Sequence, residues 1–221
     1  MTAPKTHAES VYAVVVGNFN PKIVEPLWLS NNGLVPEFEA EAAERQLIDG
    51  DFSHVVLPWA DLTVIADRMQ LESREELINK AQLQDLAVSI LRLLPHTPIS
   101  LISIQHRIIV VANSEQQRHE VGHRLAPKAL WDGVLDSPGM FDFAMQGTRC
   151  DEYQGATRVR IRPEFEPGWS IWINVNEEVA LKDPDKPEAG SRAADLVQKL
   201  WPEAERRTLE IRSKLYERLF A

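Results

Sequence analysis

The sequence predicts an α+β protein, with a mostly antiparallel sheet packed against long helices. Three observations carry this. β-branched runs at Val11 to Val16, Ser53 to Leu57, Ile99 to Val111 and Thr157 to Arg162 are bounded by turn residues, the mark of strands. Two long stretches, Leu77 to Leu94 and Arg192 to Phe220, space apolar residues at the helical period. The order strand, short helix, antiparallel strands, long helix occurs twice, over 11–94 and 95–221, which suggests a duplicated unit inside one compact domain spanning 11–221.

Residues 1–10 are polar and read as a disordered tail without a signal core. Val11 to Val16 is a buried strand ending at Gly17 and Asn18. Pro21 and Pro26 keep the next segment irregular, with Trp28 and Leu29 anchoring it. Glu37 to Leu47 is rich in Glu and Ala and reads as a helix stopped by Asp49 and Gly50. Ser53 to Leu57 and Leu62 to Leu71 are strands, the second with imperfect alternation. Ser73 and Glu76 form a capping box ahead of the helix that ends before Pro95.

Ile99 to Val111 is the central strand and passes through His106, read as a packed histidine. It turns at Asn113 and Ser114 into a helix carrying His119 to His123. Lys128 to Leu135 adds a turn or two, with Trp131 and Leu135 as apolar contacts. Gly139 to Arg149 is a strand. Thr157 to Arg162 and Trp169 to Asn176 form a hairpin. The last segment is helical, and Pro202 kinks or restarts it.

Composition excludes several classes. Lys plus Arg is 24 and Asp plus Glu 33, a formal net charge of −9. General nucleic-acid binding needs a cation surplus, and anionic membrane surfaces repel such a chain. No apolar run is long enough to span a bilayer. The one cysteine, Cys150, rules out an internal disulfide and a cysteine-rich zinc site, and fits a reducing cytoplasm. Its neighbours Asp151 and Glu152 disfavour a thiolate nucleophile.

The most suggestive string is His119, Glu120 and His123, a His-Glu-x-x-His pattern. On a helix its two histidines share a face and can ligate one zinc, while Glu120 activates the bound water of a metallohydrolase. Against this, a third ligand is not evident: position 129 is Ala129. Arg118 and Arg124 flank the motif, and only Val121 and Leu125 are apolar. The preferred reading is a solvated helix with no metal and no cofactor. A second candidate is the face formed by Arg158, Arg160 and Arg162, beside Trp172, Asn174 and Asn176 of the partner strand. Arginine over tryptophan suits an acidic partner or phosphate. The plainer reading is a solvent-facing surface paired with Glu164 or Glu166, or one covered by the last helix.

Pro95 to Pro98, Gly122 to Lys128 with Trp131, Leu57 to Trp59 and Ile173 to Asn176 resemble a group of uncharacterised bacterial proteins. That group is similar in layout to a sporadically distributed α+β family found near mobile or defence genes. The resemblance implies a bacterial cytoplasmic protein, and it supplies no catalytic residues. The expected function is therefore non-catalytic: recognition of a protein partner, as a homodimer whose interface draws on Leu196, Leu200, Ile211, Leu215 and Leu219. The alternative is the zinc hydrolase.

Overall fold

The computed structural model describes residues 4–48, 50–74, 80–149 and 151–220. β1 (Lys5–Gly17) comes first, then a 3-10 turn at Pro21–Ile23 and two short helices, α1 (Pro26–Asn31) and α2 (Glu37–Ala42). A meander of β2 (Glu44–Ile48), β3 (Phe52–Val56), β4 (Ala60–Ile65) and β5 (Arg68–Ser73) leads to α3 (Lys80–Leu93). The second half follows the same order. It contains β6 (Ile99–Val111), α4 (Glu115–Leu125), a 3-10 turn at Lys128–Trp131, β7 (Phe143–Thr148), β8 (Gly155–Pro163), β9 (Ser170–Ala180) and α5 (Ala189–Leu219).

The strands form one nine-stranded antiparallel sheet in the order β2-β3-β4-β5-β1-β6-β9-β8-β7. β1 and β6 lie at its centre, and each is flanked by the last strand of its own half. Alternate residues of these strands, Val11, Ala13, Val15, Ile102 and Ile104, join one core beneath α1, α3 and α5. A smaller core, around Ile108, Val110, Ile161 and Ile173, lies beneath α4 and the end of α5. The other face of the sheet carries Tyr12, Glu72, Gln105, Arg107, Asn174 and Asn176, the residues out of phase with the core.

Several expectations need correction. Residues Lys5 to Ser10 are not a tail: they extend β1 and pair with β6 from Val111 to Arg107. The helix expected over Glu37 to Leu47 ends at Ala42, because Glu44 to Ile48 gain sheet partners on β3, and tertiary pairing overrides a weak helix propensity. The strand expected over Leu62 to Leu71 is a hairpin turning at Ala66 and Asp67. Leu62 lies opposite Leu71 and Val64 opposite Met69, so the buried phase switches from even to odd numbers, which explains the broken alternation. The helix start expected after Ser73 falls largely on residues 75–79, outside the described residues. Ser73 ends β5, and its hydroxyl accepts a 2.8 Å hydrogen bond from the Val11 amide. Glu76 and Leu77 lie outside the described residues. Leu200 and Leu219 of α5 are buried and Leu196 and Leu215 pack beside them, so core packing uses the leucines expected at a dimer interface.

Pro202 lies inside a continuous α5. Its missing amide leaves the Gln198 carbonyl without a helical donor. The Gln84 side chain of α3 donates to that carbonyl at 3.3 Å, and Arg92 donates to the Gln198 side chain at 3.0 Å. The two long helices thus meet where α5 needs an outside partner. They also meet at Gly190, where an added Cβ would stand 2.1 Å from the Leu94 carbonyl oxygen. Backbone cannot yield as a flexible side chain does. Gly190→Ala is expected to destabilise the fold by about 1–3 kcal/mol, measured by urea unfolding. An unchanged midpoint would show that the two helix ends separate freely.

Candidate functional site

α4 starts at Ser114, whose hydroxyl accepts from the Gln117 amide at 3.1 Å, and the Gln117 side chain accepts from the Asn113 amide at 2.8 Å. Gln117 and Val121 are the buried residues of this helix, so it rests on one narrow edge. His119 and His123 are exposed. The His119 side chain is 54% exposed, with Nε2 3.5 Å from Glu115 Oε1. The carboxylate of Glu120 accepts from Gln116 at 3.0 Å. Among the described residues, no group of three or more His, Cys, Asp or Glu stands where it could hold a metal ion. Cys150 lies outside the described residues.

The register places the arginine face as the alternation predicts. Arg158 lies opposite Asn176, Arg160 opposite Asn174 and Arg162 opposite Trp172. Each arginine has a carboxylate partner. Arg158 binds Glu178, Arg160 binds Asp142 with Nε contacts of 2.7 and 2.9 Å, and Arg162 approaches Glu164 at 3.4 Å. Arg160 in turn holds the Asp142 carboxyl below the usual carboxylate range. The Arg162 guanidinium sits 4.5 Å from the Trp172 ring centre. Sequence reasoning missed the continuation of this face. Arg107 lies 5.7 Å from the same ring and 4.4 Å from that of Tyr12. Tyr12 donates to Glu72, and burial followed by this bond pushes its phenol up. The available signal was phase: Tyr12 and Arg107 fall between core residues of β1 and β6.

A second cluster also went unread. Arg149 and Glu177 have side chains only 3% and 2% exposed, on the helical side of the sheet, and bond at 2.5 Å. Arg149 Nε also donates to Asp151 at 2.9 Å, Arg207 of α5 donates to Asp151 at 3.0 Å, and Thr157 donates to Glu177 at 2.9 Å. Burial raises the Glu177 carboxyl above its ordinary value, against the pull of Thr157, Arg207 and Arg149. Asp151 is held low, mainly by its bond from Arg149. Ile171, Ile173, Val175, Glu177 and Val179 share one phase of β9, and a glutamate in that series is the sequence signal.

His106 occupies the same inner phase of β6 and is buried. It lines a cavity of about 70 Å³ with Thr208, ringed by Glu9, Lys80, Glu205 and Arg212. Neither His106 Nε2 nor Thr208 Oγ1 has a hydrogen-bond partner among the described residues. Burial, then the positive charges of Lys80 and Arg212, lowers the imidazole to about 4.

A larger pocket, of about 550 Å³, opens beneath α4 between the 137–140 segment and the β8–β9 connection. Residues 130–165 also include large apolar side chains that are exposed: Leu130, Trp131, Val134, Leu135, Phe141 and Phe165. Trp131 and Leu135 therefore do not serve as the packed contacts expected of them.

No family model and no curated protein matches the chain.

Two expected outcomes follow from these geometries. A neutral buried His106 contributes stability above its unfolded value of 6.5, and this is lost as pH falls towards 4. The full effect is about 3 kcal/mol. Urea unfolding between pH 7 and 4 should show a stability difference between wild type and His106→Gln that shrinks by that amount on acidification. Parallel pH profiles would contradict it. For the helix motif, untagged protein dialysed against zinc is expected to retain less than one equivalent. Stoichiometric zinc abolished by His119→Ala would make α4 a metal site.

Proposed function

We propose that this is a non-catalytic protein that acts by holding another protein, working as a homodimer in the cytoplasm. The observation that carries the reading is the concentration of exposed large apolar side chains between residues 130 and 169. Such a patch costs solubility unless something covers it. The same stretch of chain includes the sheet edge formed by β7, from Phe143 to Thr148, which contains no charged residue and no proline. Edge strands normally carry such residues to block pairing with other chains. Phe143 lies opposite Ile161 and Met145 opposite Val159, so the apolar phase of the core continues out to this edge. Two copies of β7 paired about a twofold axis would extend the sheet and bring their Met145 side chains together. The more specific role, an accessory component of a bacterial defence or mobile-element system, is supported only by the resemblance at Leu57 to Trp59, Pro95 to Pro98, Gly122 to Lys128 with Trp131, and Ile173 to Asn176.

Sedimentation velocity over a concentration series tests the assembly. A dimer is expected for wild type and a monomer of unchanged thermal stability for the Phe141→Asp, Met145→Asp double variant. Hydrogen exchange at the β7 amides should quicken in that variant. A wild-type chain that stays monomeric at its solubility limit, with unprotected β7 amides, would remove the dimer.

A further inference from the structure

We propose that the pocket beneath α4 binds a small organic anion: a carboxylate, sulfonate or phosphate group carried on an apolar body. Its volume, about 550 Å³, falls within the range typical of small-molecule sites. Its floor is apolar. Val121 and Ile171 belong to the smaller core, and Met140 packs against it. Phe165 forms an exposed wall. The polar side chains at its rim are cationic or neutral: Arg118, His119 and Lys128 line it, and no aspartate or glutamate does.

That absence of lining carboxylates matters in a chain of net charge −9. On the opposite face of the sheet, Arg158, Arg160 and Arg162 each face a carboxylate. Arg118 has a 3.5 Å contact to the Glu164 carbonyl, at the outer limit of a hydrogen bond, and no ion pair among the described residues. Lys128 likewise has no ion pair among them. Two cations with no ion pair among the described residues, beside an apolar cavity, attract an anion that is itself partly apolar. A bare inorganic anion would leave the floor wet, and a neutral apolar molecule would leave the cations unused. His119 lines the same rim, with its Nε2 3.5 Å from Glu115 Oε1, so the cationic character of the pocket rests on Arg118 and Lys128.

The proposal goes beyond the dimer reading and is tested separately from it. The probe is anilinonaphthalene sulfonate, an aromatic anion, with the uncharged phenylnaphthylamine as its neutral counterpart. Fluorescence titration of wild type should give one saturable sulfonate site, with the amine bound at least about tenfold more weakly. Lys128→Glu and Arg118→Glu should each weaken the sulfonate by about tenfold and leave the amine unchanged. Gly122→Leu fills the pocket from α4, where an added Cβ would lie 3.7 Å from Met140, and should remove both probes. The Phe141→Asp, Met145→Asp variant should bind the sulfonate as wild type does, which separates the pocket from the exposed apolar surface. Circular dichroism confirms that each variant is folded. Four results would each overturn the site: no sulfonate binding by the folded protein, equal affinity for both probes, indifference to Lys128→Glu and Arg118→Glu, or loss in the Phe141→Asp, Met145→Asp variant.

Discussion

β1 and β6 are each 13 residues long and pair antiparallel from Lys5 against Val111 to Gly17 against Ile99. β5 is added to the free edge of one and β9 to the free edge of the other, so both arms of the sheet take their register from this pair. Side chains alternate strictly along a strand. A slip of one residue would carry Tyr12 and Arg107 into the core and expose Val11 and His106. Close backbone contacts oppose such a slip. At Gly17, where the register shifts, an added Cβ would lie 2.3 Å from the Pro98 carbonyl oxygen. The Ser73 hydroxyl meets the Val11 amide.

Charged groups on the two faces of the sheet do different work. On the open face, ion pairs are partly solvated, and exposed pairs are worth about 0–1 kcal/mol each. Arg107 and Arg162 contribute there chiefly by covering aromatic rings, which is why Tyr12 and Trp172 are buried on a face that carries no long helix. On the helical face, Glu177 interrupts an apolar row, and water cannot satisfy it. Its partners come from three places: Arg149 beyond β7, Thr157 on β8 and Arg207 on α5. Such a network adds less to stability than the same volume of hydrocarbon, but removing one partner is costly. It therefore ties the second hairpin and α5 to one arrangement.

What the sequence revealed, and what it hid, follows the range of each interaction. The central strand, the β8–β9 hairpin and α3 were legible because burial imposes a local period on their residues. The alignment of Arg162 with Trp172 was legible because alternation and a short connection determine register. By contrast, β2 was hidden behind a run of Glu and Ala whose helical preference is weaker than the pairing available at β3. Ser73 looked like a helix cap because nothing nearby reveals that the Val11 amide, distant in sequence, would claim its hydroxyl. The pocket beneath α4 brings together Arg118 of α4, Lys128 of the 3-10 turn after it and Phe165 of the β8–β9 connection, and no local pattern announces it. For His119 the pattern was visible, but its surroundings were not: its ring nitrogen lies 3.5 Å from the carboxylate of Glu115, one helical turn earlier.

The exposed apolar surface has a geometric cause. Nine strands at about 4.8 Å spacing make a sheet roughly 40 Å wide, whereas two packed helices cover about 20 Å. α3 and α5 therefore cover only the middle. In the first half the shortfall is met by α1 and the loop after it, whose Leu29 and Val35 are buried in the same core as Val55 of β3. In the second half the cover is α4 and the end of α5, which reach Ile161 on β8 but leave Met145 on β7 61% exposed. The strand phase does not change there, and Phe143 and Met145 still point to the covered side of the sheet. The apolar series thus runs on past the helices that cover it, and nothing else among the described residues covers Met145. The asymmetry between the two arms thus lies in helical cover: the first half buries its outer strands under α1 and the loop after it, while in the second half Met145 of β7 stays 61% exposed on the covered side.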